Sequence, residues 1–401
     1  MTGEVRLRHV ADINPPTPEF ALVSDDAEIT FLPLEAVWPG SRLDTTGVRP
    51  KSSVTTGYTR FRENDILIPK ITPTFEADRS TIARRLMNGV AAGTTELHVV
   101  RPRANVCGRY IDYLVSSRPF LLGGEAEMIG VAGQKRVPAS WLRDFPVPIT
   151  VRDTQEVIAD FLDSETARID ALLVKKQNLM ELVHYRYRVQ VDELTGHGNA
   201  VRVRRVAESI TSGPRGWSEQ VGEVGAPFIR SANLRRDEIV LRSDNVMRVD
   251  VALTAEAARS QVRQGDTLVG ITGANTGWVG LVGNNHAGGF ISQHVARVRP
   301  RGVVPEWVAF SIFSQRSQEQ LLGGQYGGTK QQLGLEDLAE LTIQVPSLEE
   351  QRELVCTLQR AAQLKMELTE KLGRQIDLLK EHRQALITAA VTGEMKVPGV
   401  S

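Results

Sequence analysis

The sequence predicts an α+β protein: two globular α/β domains related by pseudo-twofold symmetry and separated by two long antiparallel coiled-coil helices. Three observations carry that prediction. Two stretches of about forty residues read as unbroken helix, weak repeats recur half a chain apart, and most of the Gly, Pro and short β-rich runs fall outside the helical stretches.

The first helical stretch is DTQEVIADFLDSETARIDALLVKKQNLMELVHYRYRVQVDEL, residues 153–194, with no Pro between Pro148 and Pro214 and no Gly between Gly133 and Gly196. Ile158, Leu162, Ile169, Leu172, Leu179 and Val183 recur at steps of three and four residues or their sums, which lines them along one side as a coiled-coil seam. The second stretch, LEEQRELVCTLQRAAQLKMELTEKLGRQIDLLKEHRQALITAAV, residues 348–391, carries Leu354, Leu358, Ala361, Leu368, Leu372, Leu379 and Leu386 in the same rhythm, with Gly373 as its obvious weak point. At ~1.5 Å per residue each helix is roughly 60 Å long, far beyond an ordinary globular helix. Neither is stable alone. Lys176, Arg186 and Gln190 interrupt the first seam, so mutual pairing is the simplest way to cover both helices; separate packing of each within its own domain is the other. A chain that repeats head to tail needs each helix to lead back toward the other half, which favours an antiparallel pair.

Both stretches end on Thr-Gly, at Thr195-Gly196 and Thr392-Gly393, and a glycine just past the last turn is a stop signal. LRDFPVPITVRDTQEVIADFL, from Leu142, lines up with LAELTIQVPSLEEQRELVCTL, from Leu338, at an offset of 196 that sets Gln155 over Gln351 and Leu162 over Leu358. GQKRVPASWL (from Gly133) parallels GTKQQLGLEDL (from Gly328), VADI (from Val10) parallels VAESI (from Val206), and FRENDILI (from Phe61) parallels VRQGDTLV (from Val262). The segments keep their order, so one unit is written twice. The implied organisation is a first domain over 1–150, a central helix over 151–196, a second domain over 197–346 and a C-terminal helix over 347–395. The domain interiors, with runs such as TELHVVRP (from Thr95) and FISQHVARVRP (from Phe290), diverge more than their borders. One scaffold carrying two different surfaces would do this.

Composition narrows the classes. The 401 residues include 41% apolar residues, enough for proper cores, and no stretch approaches the roughly 18 apolar residues of a membrane span. Cys107 and Cys356 are too few for a disulfide framework, so a cytoplasmic location is expected. Formal net charge is zero, but 38 of the 48 basic residues are Arg, whose planar fork matches phosphates and guanine edges. Codon usage in a GC-rich genome would give the same bias.

Some motifs suggest chemistry without its full pattern. INPPT, from Ile13, is close to the Asn-Pro-Pro-aromatic loop that holds a flipped adenine in amino-methyltransferases, but Thr17 stands where the aromatic is needed. GITGANTGWVG, from Gly270, lacks the Gly-Lys-Ser/Thr ending of a phosphate loop and reads as turns between strands. GGTKQQ, from Gly327, reads as a turn, and Gly93-Thr94-Thr95-Glu96 as either a structural turn or a base-reading one. The seven His residues are scattered without metal-ligand spacing, so no metal site is expected; His184 and His382 fall at corresponding places on the helices.

DILIPKITPTFEADR (from Asp65) with GTTELHVVRP (from Gly93), GDTLVGITGANTGWVGLV (from Gly265) with ISQHVARVRP (from Ile291), and PSLEEQ (from Pro346) followed by KLGRQIDLLKEHRQALITAAVTGE together resemble the specificity subunit of type I restriction-modification systems. The first arm departs from the pattern: PVPITVRDTQ (from Pro146) precedes it, and it ends on YRYRVQVDELTG. The resemblance implies two target recognition domains alternating with two long helices. It implies no catalysis by this chain, an asymmetric bipartite DNA target with an unread gap set by helix length, two modification subunits that use S-adenosylmethionine to methylate adenines, and two motor-nuclease subunits that use ATP and Mg. No cofactor and no membrane partner are expected of the chain itself. Base readers present paired hydrogen-bond groups. Candidates in the first domain are Lys70, Thr72, Arg79, Thr94, Lys135 and Arg136; in the second, Arg230, Asn233, Asn275, Thr276, Gln293, His294, Lys330 and Gln331. Phosphate contacts and plain turn residues are expected among them. The alternative is an assembly protein that uses the coiled arms as a rod and has no DNA specificity.

Overall fold

Helix-forming residues without proline leave nothing to break the two long arms. The computed structural model describes residues 3–38, 42–131, 133–217, 220–252, 254–323 and 332–400. In it the central helix runs Arg152–Leu194 and the C-terminal helix Leu348–Thr392, passing through Gly373 without interruption. Gly393, at φ +78, ends the second. The chain folds into two compact units, one of Met1–Lys175 with Gln375–Ser401 and the other of Lys176–Arg374. Each dividing point falls inside a helix, so each unit holds part of both arms.

Within the first unit Ile158, Ala159 and Leu162 share a buried cluster with Ile387, Ala390 and Val391, and Arg383 Nε donates to Asp170 Oδ1 at 3.2 Å. Residue numbers rise along one helix as they fall along the other, so the pairing is antiparallel. Within the second unit Tyr187 and Val191 share a cluster with Val355 and Leu358.

The seam differs from the sequence expectation in its register. Ile158, Leu162, Ile169, Leu358 and Leu372 are buried, and Val183, Leu354, Ala361, Leu379 and Leu386 are half-buried. Leu172, Leu179 and Leu368 are exposed, at 45%, 47% and 38%. The covered stripe passes instead through Leu173, Lys176 and Met180 on the central helix and through Lys365 and Thr369 on the C-terminal one. A strict seven-residue repeat drifts about 20° per heptad on a straight helix, so within about three heptads a neighbouring residue faces inward better than the repeat position. Lysine is tolerated there because its stem can be covered while its ammonium finds acids: Lys365 Nζ reaches Glu238 Oε1 at 3.1 Å and the Asp237 carbonyl at 3.3 Å.

Each unit carries a matching antiparallel sheet and a second sheet with one parallel pairing. In the first, an antiparallel sheet orders Ala11–Ile13, Leu97–Pro102, Ile66–Pro69 and Thr81–Ile82. A second sheet orders Val48–Pro50, Glu28–Leu32, Val90–Gly93 and Thr59–Arg62, with one parallel pairing between Glu28–Leu32 and Val90–Gly93. In the second unit the antiparallel sheet orders Ala207–Ser212, Val295–Pro300, Thr267–Gly270 and Val279–Leu281, and the parallel pairing recurs between Ala226–Ile229 and Phe290–Ile291. Strand alternation explains the continuous apolar runs. Ile66 and Ile68 face a cluster built on helices, while Leu67 between them faces the second sheet. Val269 and Leu268 divide in the same way.

Two buried polar devices repeat as well. The Asp65 carboxylate takes Arg101 Nε at 2.7 Å and Nη2 at 2.8 Å, and Asp266 takes Arg299 Nε at 2.9 Å and Nη2 at 2.8 Å. Gln155 Oε1 accepts the Cys107 N–H at 2.8 Å while its Nε2 donates to the Thr150 carbonyl at 2.8 Å. Gln351 does the same with the Val304 N–H and the Pro346 carbonyl, both at 2.8 Å.

Gln155→Leu and Gln351→Leu each leave a backbone donor and acceptor without their partner beneath a helix start, at a cost of about 1–3 kcal/mol. Denaturant unfolding is expected to show that loss in either variant, whereas Gln363→Ala, at an exposed helix position, stays within about 0.5 kcal/mol of the parent.

Candidate nucleic-acid interface

In the first unit, strands Ile66–Pro69 and Val90–Gly93 end beside each other, and backbone bonds draw two further segments over the same edge. The Lys70 N–H donates to the Glu96 carbonyl at 2.9 Å, Thr94 to Leu32 at 2.9 Å, Thr72 to Lys135 at 3.0 Å, and Val137 to Lys70 at 2.8 Å. Lys70, Thr72, Thr94, Lys135 and Arg136 are thereby brought together. Arg136 Nε and Nη2 grip the two oxygens of Glu96 at 2.9 and 2.8 Å, which holds the Glu96 carboxyl below its usual range. Lys70 and Thr95 also line a cleft of 590 Å³ with Pro15, Pro16, Tyr58 and Arg60.

His98 sits beneath this edge. Its Nε2–H donates to the Val137 carbonyl at 2.8 Å, and its Nδ1 accepts from Asn14 Nδ2 at 3.2 Å. Asn14 Oδ1 accepts the Val99 N–H at 2.8 Å, which fixes the amide orientation and so the neutral imidazole tautomer. Burial pushes the His98 imidazole below its ordinary value of 6.5. The Asn14 amide is thus spent on the neighbouring strand, which assigns INPPT to the scaffold.

The second unit repeats the framework. Ser292 N–H donates to the Ile229 carbonyl at 2.9 Å, Ile271 to His294 at 3.0 Å, and Leu333 to Ile271 at 2.9 Å, matching Thr94 to Leu32, Lys70 to Glu96, and Val137 to Lys70. The isolated bridge Ile71↔Arg136 likewise recurs as Thr272↔Gln332. Asn275 Nδ2 donates to the Ser231 carbonyl at 2.8 Å, tying the loop after Thr267–Gly270 to that after Ala226–Ile229. Gln293 Nε2 and His294 Nε2 lie 3.1 Å apart. Equivalent backbone places therefore carry Lys70 and Ile271, Thr95 and Gln293, Glu96 and His294, and Arg136 and Gln332.

Among the candidates, Arg230, Asn275, Gln293 and His294 gather at this second edge. Asn233 is 3% exposed, with its Oδ1 accepting the Arg230 N–H at 2.9 Å, and Thr276 is 4% exposed, its hydroxyl donating to the Gly273 carbonyl at 2.7 Å. Both serve their own turns. Arg79 is half-buried beside Ile68, Phe75 and Val115. Lys330 and Gln331 lie outside the described residues. Sequence reasoning left Thr95 and Glu96 in a turn that was either structural or base-reading and did not name them among the candidates, although aligning TELHVVRP with SQHVARVRP sets them over Gln293 and His294. Among the described residues no group of side chains has metal-ligand geometry, and no helix is long and apolar enough to cross a membrane.

Residues 220–378 match the model of the type I restriction modification DNA specificity domain. Two Escherichia coli relatives, the specificity subunits of type I restriction enzymes EcoAI and EcoEI, are each 38% identical, over 156 and 148 residues. These stretches cover 38% and 36% of this chain but only 26% and 24% of the relatives' length. The EcoBI specificity subunit of the same organism is 22% identical over 65% of this chain and 60% of its own. Among solved structures, a chain from work on complex assembly and conformational transition of the type I R-M system matches with a TM-score of 0.78 at 16% identity, covering 98% of both chains. The HsdS subunit from Thermoanaerobacter tengcongensis matches with a TM-score of 0.52 at 16% identity, covering 98% of this chain and 97% of that one. These two likenesses establish the fold.

His98 makes the first unit acid-sensitive. Its folded pKa lies below the 6.5 of a free imidazole, so as pH falls through that value the unfolded chain takes up a proton that the folded unit resists, and stability declines. The unfolding midpoint is expected to drop between about pH 7.5 and about pH 5.5. His98→Gln should reduce that drop.

Proposed function

We propose that this chain is a type I restriction-modification specificity subunit, and that it supplies the DNA address for a complex whose chemistry lies in other subunits. The observation that carries the reading is the pairing of one framework with two sets of loop side chains. Three backbone bonds and one bridge recur at both edges, while the side chains they present do not. Such a design suits a target of two unlike half-sites with an unread gap between them, and the length of the continuous helices would set that gap.

In this reading Lys70, Lys135 and Arg136 at the first edge, and Arg230, Asn275, Gln293 and His294 at the second, meet bases or phosphates. Arginine and lysine pair with guanine and phosphate, asparagine and glutamine with adenine. The chain works in the cytoplasm and is not itself an enzyme. Two modification subunits with S-adenosylmethionine methylate adenines at the site, and two motor-nuclease subunits with ATP and Mg cleave unmodified DNA.

Mapping modified adenines across the host genome, with and without this gene, tests the reading. A two-part motif with a fixed gap should vanish when the gene is deleted, and exchanging the loops around Asn275 and His294 should alter one half of it. A continuous palindrome, or an unchanged pattern, would overturn the proposal. The affinity of the assembled complex for duplex should also fall steeply with salt, since neutralising phosphates releases counterions.

A further inference from the structure

Resting on the DNA-address reading, we infer that Arg136 recognises one guanine in the half-site read by the first unit, and that Glu96 is a positioning residue that aims it. The Glu96 carboxylate approaches Arg136 side-on, through Nε at 2.9 Å and Nη2 at 2.8 Å, and Nη1 donates to the Gln134 carbonyl at 3.1 Å. A guanidinium carries five N–H groups, so one hydrogen remains on each terminal nitrogen. With the Gln134 carbonyl on the Nη1 hydrogen nearer Cδ, the two left over are the parallel end-on pair that matches guanine O6 and N7. The side chain is 43% exposed, which leaves this outer edge reachable. Its backbone is held too: the Arg136 N–H donates to the Ile129 carbonyl at 2.9 Å and its own carbonyl accepts the Ile129 N–H at 3.0 Å. Held at both ends, the fork loses little freedom when it docks.

Two other Arg–carboxylate pairs with the same bidentate geometry, Arg101 with Asp65 and Arg299 with Asp266, have arginine side chains only 12% and 11% exposed and belong to the cores. In the second unit the places equivalent to Glu96 and Arg136 hold His294 and Gln332, which supply neither fork nor brace. This braced fork therefore has no counterpart at the equivalent places of the second unit.

The experiment uses the assembled complex and duplexes carrying the motif found by genome mapping, with 7-deazaguanine replacing each guanine in turn to delete N7. For the parent, one guanine in one half should weaken binding by about tenfold when replaced. Arg136→Lys, which keeps the charge and loses the fork, should become insensitive at that position and retain sensitivity elsewhere. Glu96→Gln should reduce the discrimination at the same position while unfolding at the parent's temperature. Should Arg136→Lys leave every guanine requirement intact, or should the half-site altered by Arg136 variants contain no guanine, the inference fails. If the parent shows no sequence preference at all, the broader reading fails instead.

Discussion

One buried amide fixes each head to its arm. Gln155 and Gln351 stand in the first turn of the long helices, 3% and 1% exposed, and each bonds in two directions: to a backbone N–H at the start of a head helix and to the carbonyl of the segment leading into the arm. An amide can satisfy both demands at once because it carries a donor and an acceptor on one rigid plane. An apolar residue would fill the space and leave both backbone groups unpaired; a charged one would satisfy only one of them. With the helix start set, the strand before it has a fixed direction, and the Asp65–Arg101 and Asp266–Arg299 pairs tie the sheets.

That anchoring explains why borders repeat while interiors drift. Residues that hold framework to framework must keep their bonding pattern in both units, and they do so down to individual carbonyls. Loop side chains at the strand ends answer to no such demand. Their backbones are pinned by neighbours, so Lys70 can stand where the other unit has Ile271, and Arg136 where it has Gln332, without changing the path of the chain.

Much of the fold was legible in the sequence because it rests on features with a period or a spacing: the long helices, the repeated borders, and the glutamine three residues into each helix. The seam register was less legible. An alternating three-and-four rhythm and a 3.6-residue helix agree over two turns and part company over six, which is why Ile158 and Leu162 are buried and Leu172 and Leu179 are not. At the candidate interface, residue type could nominate Asn233 and Thr276 but could not say that their own turns consume them. Nor could it choose between the structural and base-reading roles of the turn that ends on Glu96, whose significance comes from Arg136, a residue forty positions later.

The division of the chain inside its helices bears on how the protein is made. Residues 176–374 form a continuous unit, able to close as soon as they leave the ribosome. The other unit has a part before it and a part after it, for its core lacks Ile387, Ala390 and Val391 until those later residues are made. The Tyr110 hydroxyl finds its acceptor, the Val391 carbonyl, 281 residues downstream. During translation the early portion thus waits with an uncovered apolar face. The nascent chain completes in the order opposite to that in which it starts.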